Sequence, residues 1–177
     1  MDTEIYKEKM TRLLSDQTTY KPLTSNPLKR WQASYNKKLK NLLERNYQEM
    51  YKQFQSYMAT LPNMYGLPKI HKEDVPMRPI TSTINSVTYK LSKWLANHLS
   101  KAMGKVSSSH LKDTSQFIDK IRNENLVNKR MVSFDVESLF TQVPVNECLE
   151  YLRNKINTLS LELPIPNNIF MPSLIII

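Results

Sequence analysis

Four prolines, at positions 62, 68, 76 and 79, fall within the single stretch "TLPNMYGLPKIHKEDVPMRPIT" (residues 60–81). Each fixes its own φ, lacks a backbone N–H and pushes the preceding residue toward extended geometry, so no long helix can pass through this part of the chain. What remains is extended backbone around a turn. "GLPKIH" and "RPITST" are predicted as two short strands, joined by the acidic-proline turn "KEDVP". Helical patterns flank this stretch on both sides, so the fold class expected is α+β, with helices covering at least one face of a sheet of few strands.

The helical patterns are read from spacing. Residues 4–15 predict a short helix, and "TTYKPLTSNP" (18–27) a connector rich in proline and hydroxyl groups. From Leu28 to Met58 a stripe runs through Trp31, Tyr35, Leu39, Leu42 or Leu43, Tyr47, Met50 or Tyr51, Phe54 and Met58. Steps of three and four place these on one face of a single long helix, with Lys37, Lys38, Lys40 and Arg45 mostly elsewhere. Aromatic and basic residues interleaved in this way can also stack on nucleic acid, but at helical spacing the stripe reads as a packing face. Residues 88–104 predict an amphipathic helix with Leu91, Leu95, Leu99 and Met103 in line and Gly104 as C-cap. Asp113 or Thr114 caps a further helix through "SQFIDKIRNEN", and "NECLEYLRNKI" forms another after Pro144. Between these two, "RMVSFDV" has the strongest strand pattern in the chain.

Composition narrows the partners. Forty per cent apolar residues, nine per cent of all residues aromatic, support a packed core. The mean hydropathy of −0.49 and the lack of an 18-residue apolar run exclude a spanning helix. The opening "MDTEIYKEKM" has no signal-peptide pattern, and together these predict a soluble intracellular chain with no membrane partner. One cysteine, Cys148, excludes a disulfide framework, and with three scattered histidines it excludes the usual zinc spacings. The net charge of +9 is uneven: residues 1–60 carry 11 basic and 6 acidic groups, 61–112 carry 8 and 2, and 113–177 carry 6 and 8. A basic front beside a slightly acidic end suits a polyanion, most simply nucleic acid, although charge alone equally describes a solvated surface.

Candidate chemistry lies on the predicted strand and hairpin. In "RMVSFDV", alternation puts Val132, Phe134 and Val136 on one face and Asp135 on the other, at the strand's end. There a carboxylate can hold a metal ion, joined by the Val136 carbonyl, or it can cap the turn that follows. Phe140, five residues on, is either a core ring or a wall beside whatever Asp135 holds. Only Gly66 and Gly104 are glycine, so no glycine-rich phosphate loop is possible, and a triphosphate would have to be gripped by long cations. Lys69 and Arg78, on the two hairpin arms, can converge on one anion, Arg as a planar fork and Lys as a point charge. His71 and Lys72 read as surface or backbone-contacting groups, His98 and His110 as structural, and Cys148 as a small core residue.

In order, "YGLPKIHK", "PMRPITS", "TYKLSKWLANHL", "SHLKDTSQFI" and "FDVESLFTQVP" resemble the reverse transcriptase domain of Penelope-like retroelements, from about residue 9 to about residue 157. The resemblance implies part of a right-hand polymerase. Residues 1–59 would be an N-terminal helical extension, 60–128 helix-rich fingers with a short β-hairpin, and 129–177 an incomplete antiparallel palm sheet. It further implies that Asp135 and the Val136 carbonyl bind Mg²⁺, that Phe140 selects the sugar, and that Lys69 and Arg78 meet the triphosphate. Lys72 and Lys93 would contact nucleic acid. The partners implied are an RNA template, a DNA primer, deoxynucleoside triphosphates and the remaining palm and thumb, with the nucleus as the compartment. The reaction would be two-metal phosphoryl transfer. The chain departs from the family pattern after Asp135: no paired-aspartate motif follows, and no carboxylate stands beyond Glu162. That predicts a truncated copy that extends no primer alone. A basic module that binds nucleic acid without catalysis, and a helical protein-interaction piece, are the alternatives.

Overall fold

The computed structural model describes residues 2–43, 45–103, 109–125, 127–136, 142–159 and 162–176. Among these are seven helices and one two-stranded antiparallel sheet, an α+β arrangement. The order is α1 (Thr3–Leu14), α2 (Leu28–Leu43), α3 (Gln48–Phe54), β1 (Asn63–Pro68), β2 (Met77–Ser82), α4 (Tyr89–Met103), α5 (Thr114–Ile121), α6 (Val145–Leu159) and α7 (Asn167–Ile176). The chain divides into two compact units, Met1–Leu95 with Ile165–Ile177, and Ala96–Pro164. No helix among the described residues is long and apolar enough to cross a membrane.

In the first unit the core takes Tyr35, Leu39, Leu43 and Phe54 from the predicted stripe, but not along one helix. Tyr35, Leu39 and Leu43 are buried at helical spacing on α2. The single long helix expected over 28–58 is instead two. Tyr47 donates its N–H to the Leu43 carbonyl at 2.8 Å, then leaves helical geometry at φ −134°, ψ 47°, and α3 begins at the next residue. Asn46, with weak helix propensity, lies at this break. The reversal returns the chain alongside α2, whose polar side chains hold it there. Tyr35 Oη donates to the Phe54 carbonyl at 3.0 Å, and Gln32 Nε2 to that of Tyr57 at 3.0 Å. Asn36 both donates to the Ser56 carbonyl (2.7 Å) and accepts from the Ser56 N–H (3.0 Å). Met58, assigned to the stripe, is therefore 93% exposed.

Leu91 and Leu95 of α4 are buried as predicted. Trp94, between them, tilts against Phe54 (ring centroids 5.6 Å apart) and Phe170 (6.2 Å), near the favoured aromatic separations. Phe170 belongs to α7, which packs on α2 and buries Phe170, Met171 and Ser173. The apolar segment before residue 177 thus contributes Phe170 and Met171 to the core. Pro172 lacks the N–H that an uninterrupted helix would use, while Ser173 Oγ bonds back to the Ile169 carbonyl at 2.8 Å.

The second unit has few buried side chains. Asp113 caps α5 as predicted, accepting from the Gln116 N–H at 2.9 Å, although the helix stops at Ile121, short of the predicted extent. The helix expected after Pro144 is α6, on which Ile156 is buried and Cys148 is exposed, not a core residue. The largest departure is "RMVSFDV". No strand forms over 130–136, and Met131, Val132, Phe134 and Val136 are 63–91% exposed. A strand pattern becomes a strand only against a hydrogen-bonding partner, and β1 and β2 pair solely with each other. The palm sheet is therefore absent from the described residues. Gly104, the expected C-cap of α4, and Phe140 lie outside them.

Candidate functional site

The hairpin is the feature best positioned to meet a ligand. Its register pairs Gly66 with Pro79, Leu67 with Arg78 and Pro68 with Met77. β1 begins three residues earlier than predicted, so Lys69 and His71 belong to the connection. The ladder still continues one step, since the Lys69 N–H reaches the Pro76 carbonyl at 2.9 Å. The Gly66 N–H points the other way, to Tyr6 Oη at 2.9 Å. Residues 66, 68, 77 and 79 therefore aim their amide positions away from the partner strand, and Pro68 and Pro79 cost the ladder nothing. They also blunt its edges against further pairing.

One face of the hairpin is covered. Met77 is buried and Gly66 lies under Met10 of α1. A Cβ at Gly66 would collide with the Met10 sulfur and stand 2.7 Å from Met77 Cε. The other face, carrying Tyr65, Leu67, Arg78 and Ile80, is open: Tyr65 is 42% and Leu67 47% exposed. Lys69 is two residues beyond Leu67 and shares its face by strand alternation, while Arg78 is opposite Leu67. The two cations are thus diagonal neighbours, separated by about 7–8 Å at the backbone, within reach of one another's long side chains. The convergence of Lys69 and Arg78 on one face follows from the register.

The connection is a compact turn. Lys72 donates its N–H to the Lys69 carbonyl (3.0 Å) and Val75 to that of Lys72 (3.1 Å). Asp74 and Val75 have φ of 58° and 43°, which is costly for a β-branched residue. Lys9 of α1 offsets this by donating Nζ to the carbonyls of Asp74 and, at 3.2 Å, Val75. Lys9 and Tyr6 have no sequence signal for this role, because they stand some 60 residues from their partners and read as ordinary helix-surface groups.

The remaining candidates belong to other parts of the chain. Lys72 is exposed in the turn, and Lys93 lies on α4 with its ammonium 5.8 Å from the Tyr89 ring centre, a cation–π contact. Asp135 and Val136 belong to the second unit, where Asp135 Oδ1 accepts from the Val136 N–H at 2.9 Å. Among the described residues no group of three His, Cys, Asp or Glu side chains could hold a metal ion together. Asp135 is therefore not part of any such group among the described residues. Comparison of the chain with protein-family models, curated proteins and solved structures finds no match.

Proposed function

We propose that the chain is the fingers and the start of the palm of an RNA-directed DNA polymerase of a Penelope-like retroelement. The observation that carries this reading is the hairpin face that presents Lys69 and Arg78 side by side, flanked by the ordered motifs of that family. In such an enzyme the two cations bind the triphosphate of the incoming nucleotide. Asp135 and the Val136 carbonyl would hold a Mg²⁺, and the two ions of a complete palm would supply activation of the primer hydroxyl and neutralisation of phosphate charge. Phe140 favours deoxyribose by bulk. No paired-aspartate motif follows Asp135, so residues 1–177 alone are expected to extend no primer. Template RNA and primer DNA meet the basic front, with Lys72 and Lys93 on their backbone.

Photocrosslinking with an azido-dATP analogue tests the hairpin. Label is expected within residues 63–82 and is expected to fall at least tenfold when Lys69 and Arg78 are both alanine, as removal of two charge-assisted contacts implies. Salt-sensitive RNA binding with no triphosphate labelling of the hairpin would instead favour a non-catalytic nucleic-acid-binding module, the reading next supported by the net charge of +9.

A further inference from the structure

We propose that the first unit carries a second ligand site, a groove beside α2 that takes one nucleotide by means of Trp31, Lys38 and Ser86. The groove has a volume of about 390 Å³, within the range of small-ligand pockets. Its walls are α2 from Leu28 to Lys38, the segment around Thr60 and Pro62, the turn Thr83–Thr88, and Ile176 of α7. That turn is fixed in advance. The Ser86 N–H donates to the Thr83 carbonyl at 2.9 Å, Asn85 takes φ 60°, and its carbonyl accepts from the Thr60 N–H at 2.9 Å. Asparagine is among the few side chains that accept such a φ readily.

Three observations define the ligand. First, Ser86 lines the groove, and its Oγ is buried beneath that wall with no hydrogen-bond partner among the described residues. A buried hydroxyl without a partner is unfavourable, and rotation about χ1 toward a ligand atom in the groove relieves it. Second, Trp31, Ser34, Tyr35 and Lys38 follow the i, i+3, i+4, i+7 spacing of one helix face and all border the groove. An indole that is 43% exposed thus stands at one end and a lysine about 10 Å along the helix at the other. Third, the lining contains hydroxyls from Thr60, Thr83 and Thr88 but no carboxylate. The complement is a flat ring that stacks on Trp31, a polar middle that meets the hydroxyls, and an anion at Lys38. A nucleoside monophosphate has that order of parts, whether free or as one unit of a single strand. This site uses none of the hairpin residues and stands independently of the polymerase reading.

Tryptophan fluorescence tests it, because Trp31 is exposed and the other tryptophan, Trp94, is in the ring cluster. Residues 1–177 are titrated with adenosine 5′-monophosphate, a six-nucleotide oligo(dA), adenosine and inorganic phosphate. Saturable quenching by the monophosphate assigns the free nucleotide, and quenching by the oligonucleotide alone assigns a unit of a strand. Adenosine and phosphate are each expected to bind at least tenfold more weakly. Lys38→Gln is expected to weaken binding about tenfold, a typical loss for a charge-assisted contact. Ser86→Ala should weaken it severalfold while raising the melting temperature of the unliganded protein, since an orphaned hydroxyl is removed. Trp31→Leu, followed by calorimetry, should lose binding at least tenfold, and Lys69→Ala with Arg78→Ala should leave it unchanged. Absence of quenching by both nucleotide probes at millimolar concentration overturns the proposal. So does binding that Lys38→Gln and Ser86→Ala leave untouched.

Discussion

Tyr35 shows how much one side chain can decide. It is 4% exposed and donates to the carbonyl that ends α3. Burial raises its pKa well above the ordinary 10.0, because the phenolate would be stripped of water. The sign of the linkage follows. Stability from the neutral phenol is fully present below pH 10 and declines as pH rises beyond it, where the unfolded chain ionises and the folded chain does not. Urea titrations at pH 7 and pH 11 should therefore show a larger loss for the native protein than for Tyr35→Phe. At pH 7 the same variant should be about 1–3 kcal/mol less stable, since it orphans a buried carbonyl. Gly66 is a gentler case. Its backbone is not in the left-handed region, so Gly66→Ala must displace only the ends of Met10 and Met77. A loss of about 1–3 kcal/mol in urea unfolding is expected, typical of overpacking. The periodicity of α2 marks Tyr35 as a core residue, but its partner at Phe54 was hidden, because the sequence pattern continued through the helix break.

Among the elements, the hairpin and α7 make opposite points. Four prolines in 22 residues left little but a hairpin, and the register then put Pro68 and Pro79 where no ladder bond is lost. Local chemistry specified that element, with only its boundaries displaced. α7 has no counterpart in the sequence reading, because the mostly apolar run from Ile169 onward has no period from which to infer a partner. Its role depends on Phe170, 0% exposed against Trp94. Phe170→Ala should cost about 3–5 kcal/mol in chemical denaturation, the usual loss for a large core ring. Removal of residues 165–177 should abolish cooperative unfolding of the first unit instead of improving solubility, as circular dichroism melting will show. Asp113→Ala, by contrast, should cost about 1 kcal/mol at most, confined to α5, whose residues are not buried. The segment 130–136 failed as a strand for the complementary reason to the hairpin's success. Its alternation is good, but among the described residues no neighbouring strand accepts its backbone bonds.

At the level of the whole molecule, the two units differ in how much they bury. The ring cluster, α2 and α7 fall in Met1–Leu95 with Ile165–Ile177, and 130–136 in Ala96–Pro164. Amide hydrogen exchange should therefore be slowest in α2 and the first turns of α4, and fastest across 130–136, whose apolar side chains face solvent. Lys69 and Arg78 lie in the first unit and Asp135 in the second. The sequence alone determined that this chain mixes helices with a short proline-framed hairpin, that its front is basic, and that it has no glycine-rich phosphate loop. These depend on proline, glycine and charge, which act within a few residues or through bulk sums. The tertiary structure decided where α2 ends, that the last apolar segment contributes to the core, that Lys9 and Tyr6 brace the hairpin, and that Ser86 lines a groove. Each of those rests on contacts between residues far apart in the chain, which packing creates and no local pattern encodes.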